Sequence, residues 1–310
     1  MLYRPSMIKI FNPKEFLPVT LLLMIGCLWG FFFILIKNTV TDGIHPTAYV
    51  FWFCLGSGCV VFFIGLCRGI YPPVSFGYIA YYFRAAALRF TFANTILYAA
   101  QGNLPVGVMA VIMAFTPIFT HLVSLITRVE KLIWLRLFGI LLGFLGVLFI
   151  VVPKASLPDP SMAIWVFIGF GTPLLHGMAY VFLSDANRPP NINSLQLACG
   201  TLFAAAAMAL PISLALGEFH MLAPPFTSGE ISMMVHFVLA GFNFYGVFEL
   251  IRIAGPTYMS QSSFLSVGFG IFFGIVLLGE KHSLFVWLAI ALILFGIALV
   301  NAHRERCPKN

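Results

Sequence analysis

The sequence predicts an all-α integral membrane protein with ten transmembrane helices, arranged as two inverted five-helix repeats. Three observations lead to this fold class: an apolar composition, ten apolar segments joined by short loops, and an internal repeat. Apolar residue types (A, V, I, L, M, F, W, Y and C) make up 61% of the 310 positions, and charged residues only 9%. A soluble domain is usually about a quarter charged, so the outer surface of this chain is expected to face lipid. Its long apolar blocks differ from the short alternating strands of a membrane β-barrel.

Ten apolar segments, bounded by turn residues or charges, follow one another along the chain. Numbered segments 1 to 10, they lie at 17–37, 47–67, 77–101, 105–127, 132–152, 162–183, 194–216, 231–252, 256–278 and 283–302. Each is close to the roughly 20 residues that a helix needs to cross the hydrocarbon core. The connections are too short for a soluble domain, so successive helices are predicted to be antiparallel neighbours.

The positions of lysine and arginine predict the orientation, because cytoplasmic loops carry an excess of both. With the N-terminus inside, 12 of the 17 Lys and Arg residues lie on the inner side, 3 on the outer side and 2 within segment 3. This asymmetry predicts that both termini are cytoplasmic, and we expect the location to be a bacterial inner membrane. Topology also accounts for the net charge of +7, so no nucleic-acid partner is predicted.

The second half of the chain repeats the first. Residues 104–153 and 254–303 align without a gap at an offset of 150, and the shared Glu-Lys pairs at 130–131 and 280–281 lie between two segments in each half. Near the start of each half, LWGFFFIL (28–35) parallels LHGMAYVFL (175–183) at an offset of 147. Five segments per half is an odd number, so the second repeat (153–310) is predicted to be inverted relative to the first (1–152). Inverted repeats are typical of secondary transporters, which bind substrate near the bilayer midplane.

Several short motifs resemble the drug/metabolite transporter superfamily, in its EamA-like branch. They are CLWGFFFILIK (27–37), MAFTPIFT (113–120), RVEK (128–131), LGEKHS (278–283), FGILLGFLGVLFIV (138–151) and LAIALILFGIALV (288–300). The sequence departs from the pattern at Val267, which replaces the proline aligned with Pro117, and at His176, which stands where Trp29 stands in segment 1. The resemblance implies a ten-helix metabolite transporter. Because the family moves amino acids, nucleotide sugars, organic cations and other metabolites, it does not select a substrate.

Motifs for other chemistries do not occur in the sequence. It contains no phosphate-binding G-x-x-x-x-G-K-[ST] loop, no H-E-x-x-H and no Gly-x-Ser-x-Gly, which argues against ATP hydrolysis and against an enzyme of those classes. The six cysteines are scattered without a C-x-x-C pair, so no zinc site or disulfide framework is predicted. We therefore expect no cofactor, no metal and no catalytic residue.

Arg89 is the strongest candidate for a substrate-binding residue. It lies about midway along segment 3, where a charge is costly and usually faces a cavity or a partner. A guanidinium at that depth binds a carboxylate, a phosphate or a group of carbonyls. The alternative is a structural pair, or a side chain that reaches toward the membrane surface, which is the interpretation preferred for Arg84.

Other polar and aromatic side chains inside the segments complete the predicted substrate-binding set. Its members are Trp29, Arg89, Asn94, Tyr98, His176, Tyr180, His236, Asn243, Tyr245, Gln261 and Ser263. Spacings of four (94 and 98, 176 and 180) and seven (236 and 243) place residues on one helix face. The structural alternatives are a histidine that bonds a neighbouring helix and small hydroxyls that permit close packing.

Three further side chains are predicted to be structural. His121 follows Pro117 by one turn and is expected to bond backbone groups that the proline leaves free. Glu249 is expected to pair with Arg252, and Glu130 to cap a helix start, where a carboxylate suits the positive end of the helix dipole. Segments 1, 3, 4, 6, 8 and 9 are predicted to line the site, and segments 5 and 10 to lie at the periphery.

The predicted function is secondary transport, by alternating access, of a small polar metabolite that is amino-acid-like and bears a carboxylate. The mid-membrane charge is positive, and no matching acid is evident in the segments. Two alternatives remain: an exporter of organic cations or aromatic drug-like compounds, and a non-transporting membrane scaffold. The predicted partners are a small-molecule substrate and the lipid bilayer, with protons as a candidate coupling ion and a monomer or homodimer as the assembly.

Overall fold

A computed structural model describes residues 13–103, 112–151 and 163–278, together with six separate positions between 288 and 299. The described helices are α1 (Pro13–Thr41), α2 (Pro46–Cys67), α3 (Phe76–Ala86), α4 (Phe92–Asn103), α5 (Thr116–Ile126), α6 (Trp134–Val151), α7 (Ala163–Gly169), α8 (Gly171–Phe182), α9 (Ser194–Ala215), α10 (Ser228–Ala254), α11 (Pro256–Ser260) and α12 (Ser262–Leu278). A π-helical turn at Ala87–Thr91 joins α3 to α4. Most of segment 10 lies outside these residues.

The protein is an all-α membrane protein with several apolar spans. Among the described residues, four stretches are long and apolar enough to cross a membrane: Phe16–Thr41, Pro46–Cys67, Ser194–Ala215 and Ser228–Ala254. Shorter apolar helical stretches occur at Thr116–Ile126 and at Phe167–Phe182, the second of which contains the break at Phe170. Capping boxes define where two of the long helices begin, at Asn193 before α9 and at Thr227 before α10. In each box the cap side chain accepts the N–H three residues on, and that residue's side chain accepts the N–H of the cap.

Four predicted segments are not continuous α-helices in their described parts. Segment 3 contains the π turn, segment 4 has a turn at 114–115 before α5, segment 6 breaks at Phe170 between α7 and α8, and segment 9 breaks at Gln261 between α11 and α12. Irregular backbone at membrane depth is tolerated only where protein or a water-filled cavity covers it. These four irregular places therefore indicate the part of the bundle in which to look for a site.

The helices of the two halves pack against one another. α1 contacts α10 and α12, α2 contacts α9 and α10, and α5 contacts α8. Two of these contacts are close enough to require glycine. A Cβ at Gly30 of α1 would lie 2.7 Å from the backbone nitrogen of Gly270, and a Cβ at Gly177 of α8 would lie 2.9 Å from that of Thr120.

The prediction for His121 is wrong, because another residue bonds the backbone group that Pro117 leaves free. Pro117 has no N–H to donate to the carbonyl of Met113, four residues earlier. The hydroxyl of Thr116 donates to that carbonyl instead, at 2.7 Å. Neither ring nitrogen of His121 has a hydrogen-bond partner among the described residues.

The C-terminal end of α1 is tied to the N-terminal end of α10. The amide of Asn38 donates to the hydroxyl of Ser232 at 2.7 Å, and a carboxylate oxygen of Asp42 accepts the N–H of Gly229 at 2.9 Å. Hydrogen bonds from the Thr227 side chain and the Gly229 backbone lower the pKa of Asp42 below its usual value. This end of the bundle is therefore closed by polar contacts between the first and second halves of the chain.

Candidate functional site

A central cavity of about 620 Å³, including the part open to solvent, lies between the two halves. Its lining residues are Trp29, Phe32, Phe33, Ile36, Phe53, Arg89, Phe90, Asn94, Leu97, Tyr98, Met113, His176, His236, Phe244, Ser263 and Ser266. All six segments that were predicted to line a site contribute, and segment 2 adds Phe53. Mostly apolar walls with a few polar groups are typical of small-molecule sites.

Arg89 reaches the cavity from the π turn between α3 and α4. The turn takes one residue more than an α-helical turn and so changes the direction of the side chains on it; such turns often occur at functional sites. Arg89 is 4% exposed. The described residues include no carboxylate within ion-pair distance of its guanidinium, so the charge at the cavity wall is not neutralised by a carboxylate there.

His176 of α8 is the hydrogen-bond partner of Arg89, with 3.0 Å between Nη1 and Nε2. A guanidinium can only donate, so Nε2 must accept and cannot carry a proton. The imidazole is therefore neutral with its proton on Nδ1, and that nitrogen is buried without a partner among the described residues. Protonation of His176 and this hydrogen bond exclude each other.

Three aromatic rings surround the guanidinium. Its central carbon lies 5.5 Å from the ring centroid of Trp29, 5.2 Å from that of Phe90 and 5.4 Å from that of Tyr180. Cation–π attraction at such distances holds the charged group in a desolvated place. Tyr180 also stacks on His176 at 6.2 Å, so the rings fix both members of the hydrogen-bonded pair.

His236 of α10 forms a second polar group in the cavity wall. Its Nδ1 is 2.6 Å from the hydroxyl of Tyr49 in α2, and Tyr49 stacks on Tyr98 with centroids 4.5 Å apart. Phe32 and Phe53 contact the histidine ring at 4.4 and 4.5 Å. Sequence reasoning missed Tyr49, since a tyrosine near the start of a segment looks like an interfacial residue.

The structure brings most of the predicted substrate-binding residues to one place. Those that line the cavity are Trp29, Arg89, Asn94, Tyr98, His176, His236 and Ser263. Tyr180 lies directly behind them, against Arg89. Asn243 and Gln261 are buried at 1% and 0% exposure but do not line the cavity, and both amide atoms of Asn243 are without partners among the described residues.

Tyr245 lies elsewhere, at a second cavity near the C-terminal end of α10. It is 37% exposed, and the guanidinium of Arg68 lies 5.8 Å from its ring centroid. The predicted pair of Glu249 and Arg252 is present in the same cavity. The hydroxyl of Ser194 donates to that carboxylate at 2.7 Å, which leaves Glu249 paired and unavailable to the central site.

Metal ligands do not cluster in the described part of the chain, where no group of three His, Cys, Asp or Glu side chains could hold an ion. The described lining of the central cavity includes no Asp or Glu. Its polar groups are one cation, two imidazoles, an amide, a phenol, an indole N–H and two hydroxyls. Such a set can bind an anionic group and hydrogen-bond a small polar one.

The profile of the EamA-like transporter family matches the chain twice, over residues 17–152 and 163–302. The chain belongs to the EamA-like transporter family. The predicted resemblance is thus confirmed, and the family is one of transporters, not of enzymes. The uncharacterized inner membrane transporter YedA of Escherichia coli K12 is 25% identical over 215 residues, which are 68% of this chain and 66% of that protein. The same values hold for YedA of strains O6:H1 and O157:H7.

The match with YedA therefore spans just under two thirds of the length of these relatives. A solved crystal structure, described only as that of a protein, is similar over 93% of this chain and 98% of its own, with a TM-score of 0.75 and 15% identity. That similarity shows a shared fold. Together these findings identify an integral membrane protein of a transporter family, similar to a bacterial inner membrane transporter.

Proposed function

We propose that the protein is a secondary transporter of a small, amino-acid-like metabolite whose carboxylate binds Arg89. The observation that carries this proposal is the buried guanidinium at the cavity wall, which has a histidine but no carboxylate as its described partner. A carboxylate can take two parallel hydrogen bonds from a guanidinium. In the absence of substrate, the hydrogen bond from Arg89 to His176 holds the guanidinium in position, and the substrate carboxylate then binds to it.

The rest of the cavity wall supports a substrate with an apolar body. Phe32, Phe53 and Phe244 contribute apolar surface to the cavity, and Asn94 and His236 contribute hydrogen-bonding groups. An amino acid with an apolar or aromatic side chain presents a carboxylate for Arg89, a polar amine and an apolar part. The combination of these groups in one cavity supports that class of substrate.

The contacts between helices support the proposal of two inverted five-helix repeats, at 1–152 and 153–310, within a ten-helix bundle. If each segment is exchanged for the one five places away, the contact of segments 1 and 9 becomes that of segments 6 and 4. Likewise, segments 1 and 8 become 6 and 3, and segments 3 and 7 become 8 and 2. All of these contacts occur, as a two-fold relation between the repeats requires.

The glycine contacts follow the same relation at the level of residues. Gly30 approaches Phe269 and Gly270, and Gly177 approaches Phe119 and Thr120. The offset of 147 relates Gly30 to Gly177, and the offset of 150 relates the two contacted pairs. The residues that precede the glycines, Trp29 and His176, both contact Arg89. A site between two such repeats can open to either side in turn, and we place both termini in the cytoplasm.

The alternative substrate class is an organic cation held by aromatic rings. The aromatic content of the cavity favours it, but the faces of Trp29, Phe90 and Tyr180 are turned to the protein's own guanidinium. A cationic substrate would then be placed beside Arg89 and would be repelled. This alternative predicts that Arg89 is dispensable for transport.

Uptake by purified protein in liposomes tests the proposal. The panel contains labelled amino acids, organic anions, nucleotide sugars and quaternary amines, with and without a pH gradient. We expect saturable uptake of an amino acid, and a loss of about ten-fold or more in Arg89→Ala, since a hydrogen bond to a charged group contributes about 1.5–3 kcal/mol. Arg84→Ala is the matched control, because Arg84 is exposed on α3 of the same segment.

The outcomes separate the candidate functions. Amino-acid uptake that survives in Arg89→Ala would overturn the role of the arginine. Transport of quaternary amines alone, with Arg89→Ala active, would establish the cation alternative. Binding and transport of no member of the panel would favour a scaffold.

A further inference from the structure

The second cavity lies at one end of the bundle and shares no lining residue with the central one. It has a volume of about 660 Å³, including the part open to solvent. The residues that follow α2, the start of α9 and the C-terminal part of α10 form its walls, and the amide of Gln196 holds the first two together by donating to the carbonyl of Tyr71 at 2.8 Å. Its charged lining residues are Arg68, Glu249 and Arg252.

The charges that line this cavity do not cancel. Glu249 accepts the hydroxyl of Ser194 at 2.7 Å and the Nε–H of Arg252 at 3.0 Å. It also accepts from Nη2 of Arg252, which leaves Nη1 without an acceptor among the described residues. Arg68 has no carboxylate within ion-pair distance in the described part of the chain, and its guanidinium lies 5.8 Å from the ring centroid of Tyr245. The lining therefore carries one net positive charge.

Two charged residues beside the cavity leave this net charge unchanged. Arg188 donates to the hydroxyl of Ser194 and to the carbonyl of Phe248, each at 3.1 Å. Asp185, three residues earlier in the same loop, carries the opposite charge. The positive charge that remains belongs to the cavity lining.

The start of α9 adds backbone donors to the same wall. The side chain of Asn193 accepts the N–H of Gln196 at 2.9 Å, and its carbonyl accepts that of Leu197 at 3.0 Å. The N–H groups of Ser194 and Leu195, which both line the cavity, have no acceptor among the described residues. The first N–H groups and the dipole of a helix favour an anion at its N-terminal end. An anion in the cavity would thus meet donors from three elements.

The exposed face of α10 runs along the bundle to this cavity. It begins with four apolar side chains that are 39–59% exposed, at spacings of four, three and four: Ile231, Val235, Val238 and Phe242. Tyr245, Glu249 and Arg252 continue the same spacing, so they lie on the same helix face. Large exposed apolar patches mark surfaces that contact a membrane or a partner, and in a membrane-spanning helix this face is in contact with acyl chains. One face of α10 is therefore apolar along its length and charged at its C-terminal end.

We propose that the second cavity binds the phosphate of an anionic lipid head group, with the acyl chains of that lipid along the exposed face of α10. Basic pockets between membrane helices bind head groups of this kind, and a guanidinium can donate two parallel hydrogen bonds to a phosphate. A phosphodiester carries one negative charge, which matches the net charge of the lining. A soluble phosphate compound could use the same donors but not the apolar face. This inference does not depend on which substrate is carried.

Native mass spectrometry of the purified protein, released from detergent, tests the site by measuring the affinity for the first bound lipid. The probes are phosphatidylglycerol, phosphatidylcholine with the same acyl chains, and glycerophosphoglycerol, which is the phosphatidylglycerol head group without its chains. We expect phosphatidylglycerol to bind most tightly. Its affinity should fall by about ten-fold or more in Arg68→Gln, because a hydrogen bond between two charged groups is lost.

Arg128→Gln is the matched control, because it removes an exposed arginine from the loop between α5 and α6. That loop lies at the same end of the bundle, since its Glu130 accepts the N–H of Thr257 at 3.3 Å, directly after α10. Glu130 is thus at the start of α11, and not at the start of the helix that follows it in sequence. The control variant should bind phosphatidylglycerol as wild type does.

The other outcomes would overturn the inference. An equal loss in Arg68→Gln and Arg128→Gln would show a general attraction of the lipid to basic residues. Equal affinities for the two lipids would show that the charge of the lining does not select an anion. Glycerophosphoglycerol that binds as tightly as the lipid would exclude a role for the face of α10. Arg68→Glu, in which the charge is reversed, should bind still more weakly and serves if Arg68→Gln does not fold.

Discussion

The hydrogen bond between Arg89 and His176 has a direct consequence for the effect of pH on binding. Protonation of His176 removes the only acceptor that His176 offers and places two positive charges about 3.0 Å apart. An anionic substrate between them relieves this repulsion. A proton and an anion therefore favour each other's binding, and this coupling is reciprocal.

The affinity for an anionic substrate should accordingly rise as the pH is lowered. His176→Gln keeps a hydrogen-bond acceptor for Arg89 but cannot be protonated, so it should bind with little dependence on pH. Equilibrium binding at several pH values, with wild-type protein and this variant, makes the comparison. An affinity that falls equally in both proteins on acidification would contradict the coupling.

For individual residues, the sequence identified the polar side chains of the central cavity better than it identified the partners that each side chain contacts. Arg89 was identifiable because a charge inside an apolar segment is costly and rarely occurs without a reason. Tyr245 was placed with the others only by its position along segment 8. Because α10 is largely apolar around its circumference, spacing does not decide which face turns inward, and Tyr245 faces Arg68 instead.

Helix contacts depend on two glycines that occupy related positions. Gly30 and Gly177 each face the backbone of another helix at a distance that leaves no room for a Cβ atom. Overpacking at a tight contact typically costs about 1–3 kcal/mol. The contacts of α1 with α12 and of α8 with α5 should therefore be sensitive to the addition of one methyl group.

Gly30→Ala and Gly177→Ala should each lower the thermal stability of the purified protein by an amount that corresponds to about 1–3 kcal/mol. Gly268→Ala is the control, because no atom lies within 4 Å of the position of its Cβ. Alanine is favoured over glycine in a helix by about 1 kcal/mol, so the control should be as stable as wild type or more so. Equal melting temperatures for all three variants would refute the glycine contacts.

The helices themselves could be predicted largely from apolar segments, but their breaks could not. The loop residues between segments were sufficient to place the described helices, since turn residues and charges do not enter the membrane interior. A π turn or a break at Gln261 depends on contacts between helices that are distant in sequence. The hydrogen bond from Thr116 to the Met113 carbonyl could not be predicted either. A hydroxyl beside a proline and a histidine one turn later can both bond a carbonyl that the proline leaves free, so the sequence does not decide between them.

At one end of the bundle, Asp42 links the end of α1 to the start of α10. The pKa of Asp42 is lowered in the folded protein, so its ionised form stabilises the fold. That contribution is present above the ordinary value of about 3.9 and is lost as the pH falls through the lowered value.

Asp42→Asn should therefore melt at a lower temperature than wild type at pH 7, and the difference should become smaller as the pH is lowered toward about 3. Asp185→Asn is the control, because Asp185 is an exposed carboxylate in the loop between α8 and α9. Thermal unfolding in detergent at both pH values measures the two differences. A constant difference for Asp42→Asn would show that its charge does not stabilise this end of the bundle.

The π turn at Ala87–Thr91 makes the length of segment 3 as important as its composition. Deletion of Ala87 would convert the π turn to an ordinary α-helical turn, which is the more regular backbone. Because the π turn holds one residue more than an α-helical turn, the helix on each side would keep its register, whereas the residues within the turn would change direction. Arg89 would then no longer reach the cavity. We expect a deletion variant that inserts into the membrane and remains folded but has lost binding, whereas Ala87→Gly retains it. Within this segment, a lost codon is more harmful than most substitutions, and relatives with one residue fewer here should differ in what they carry.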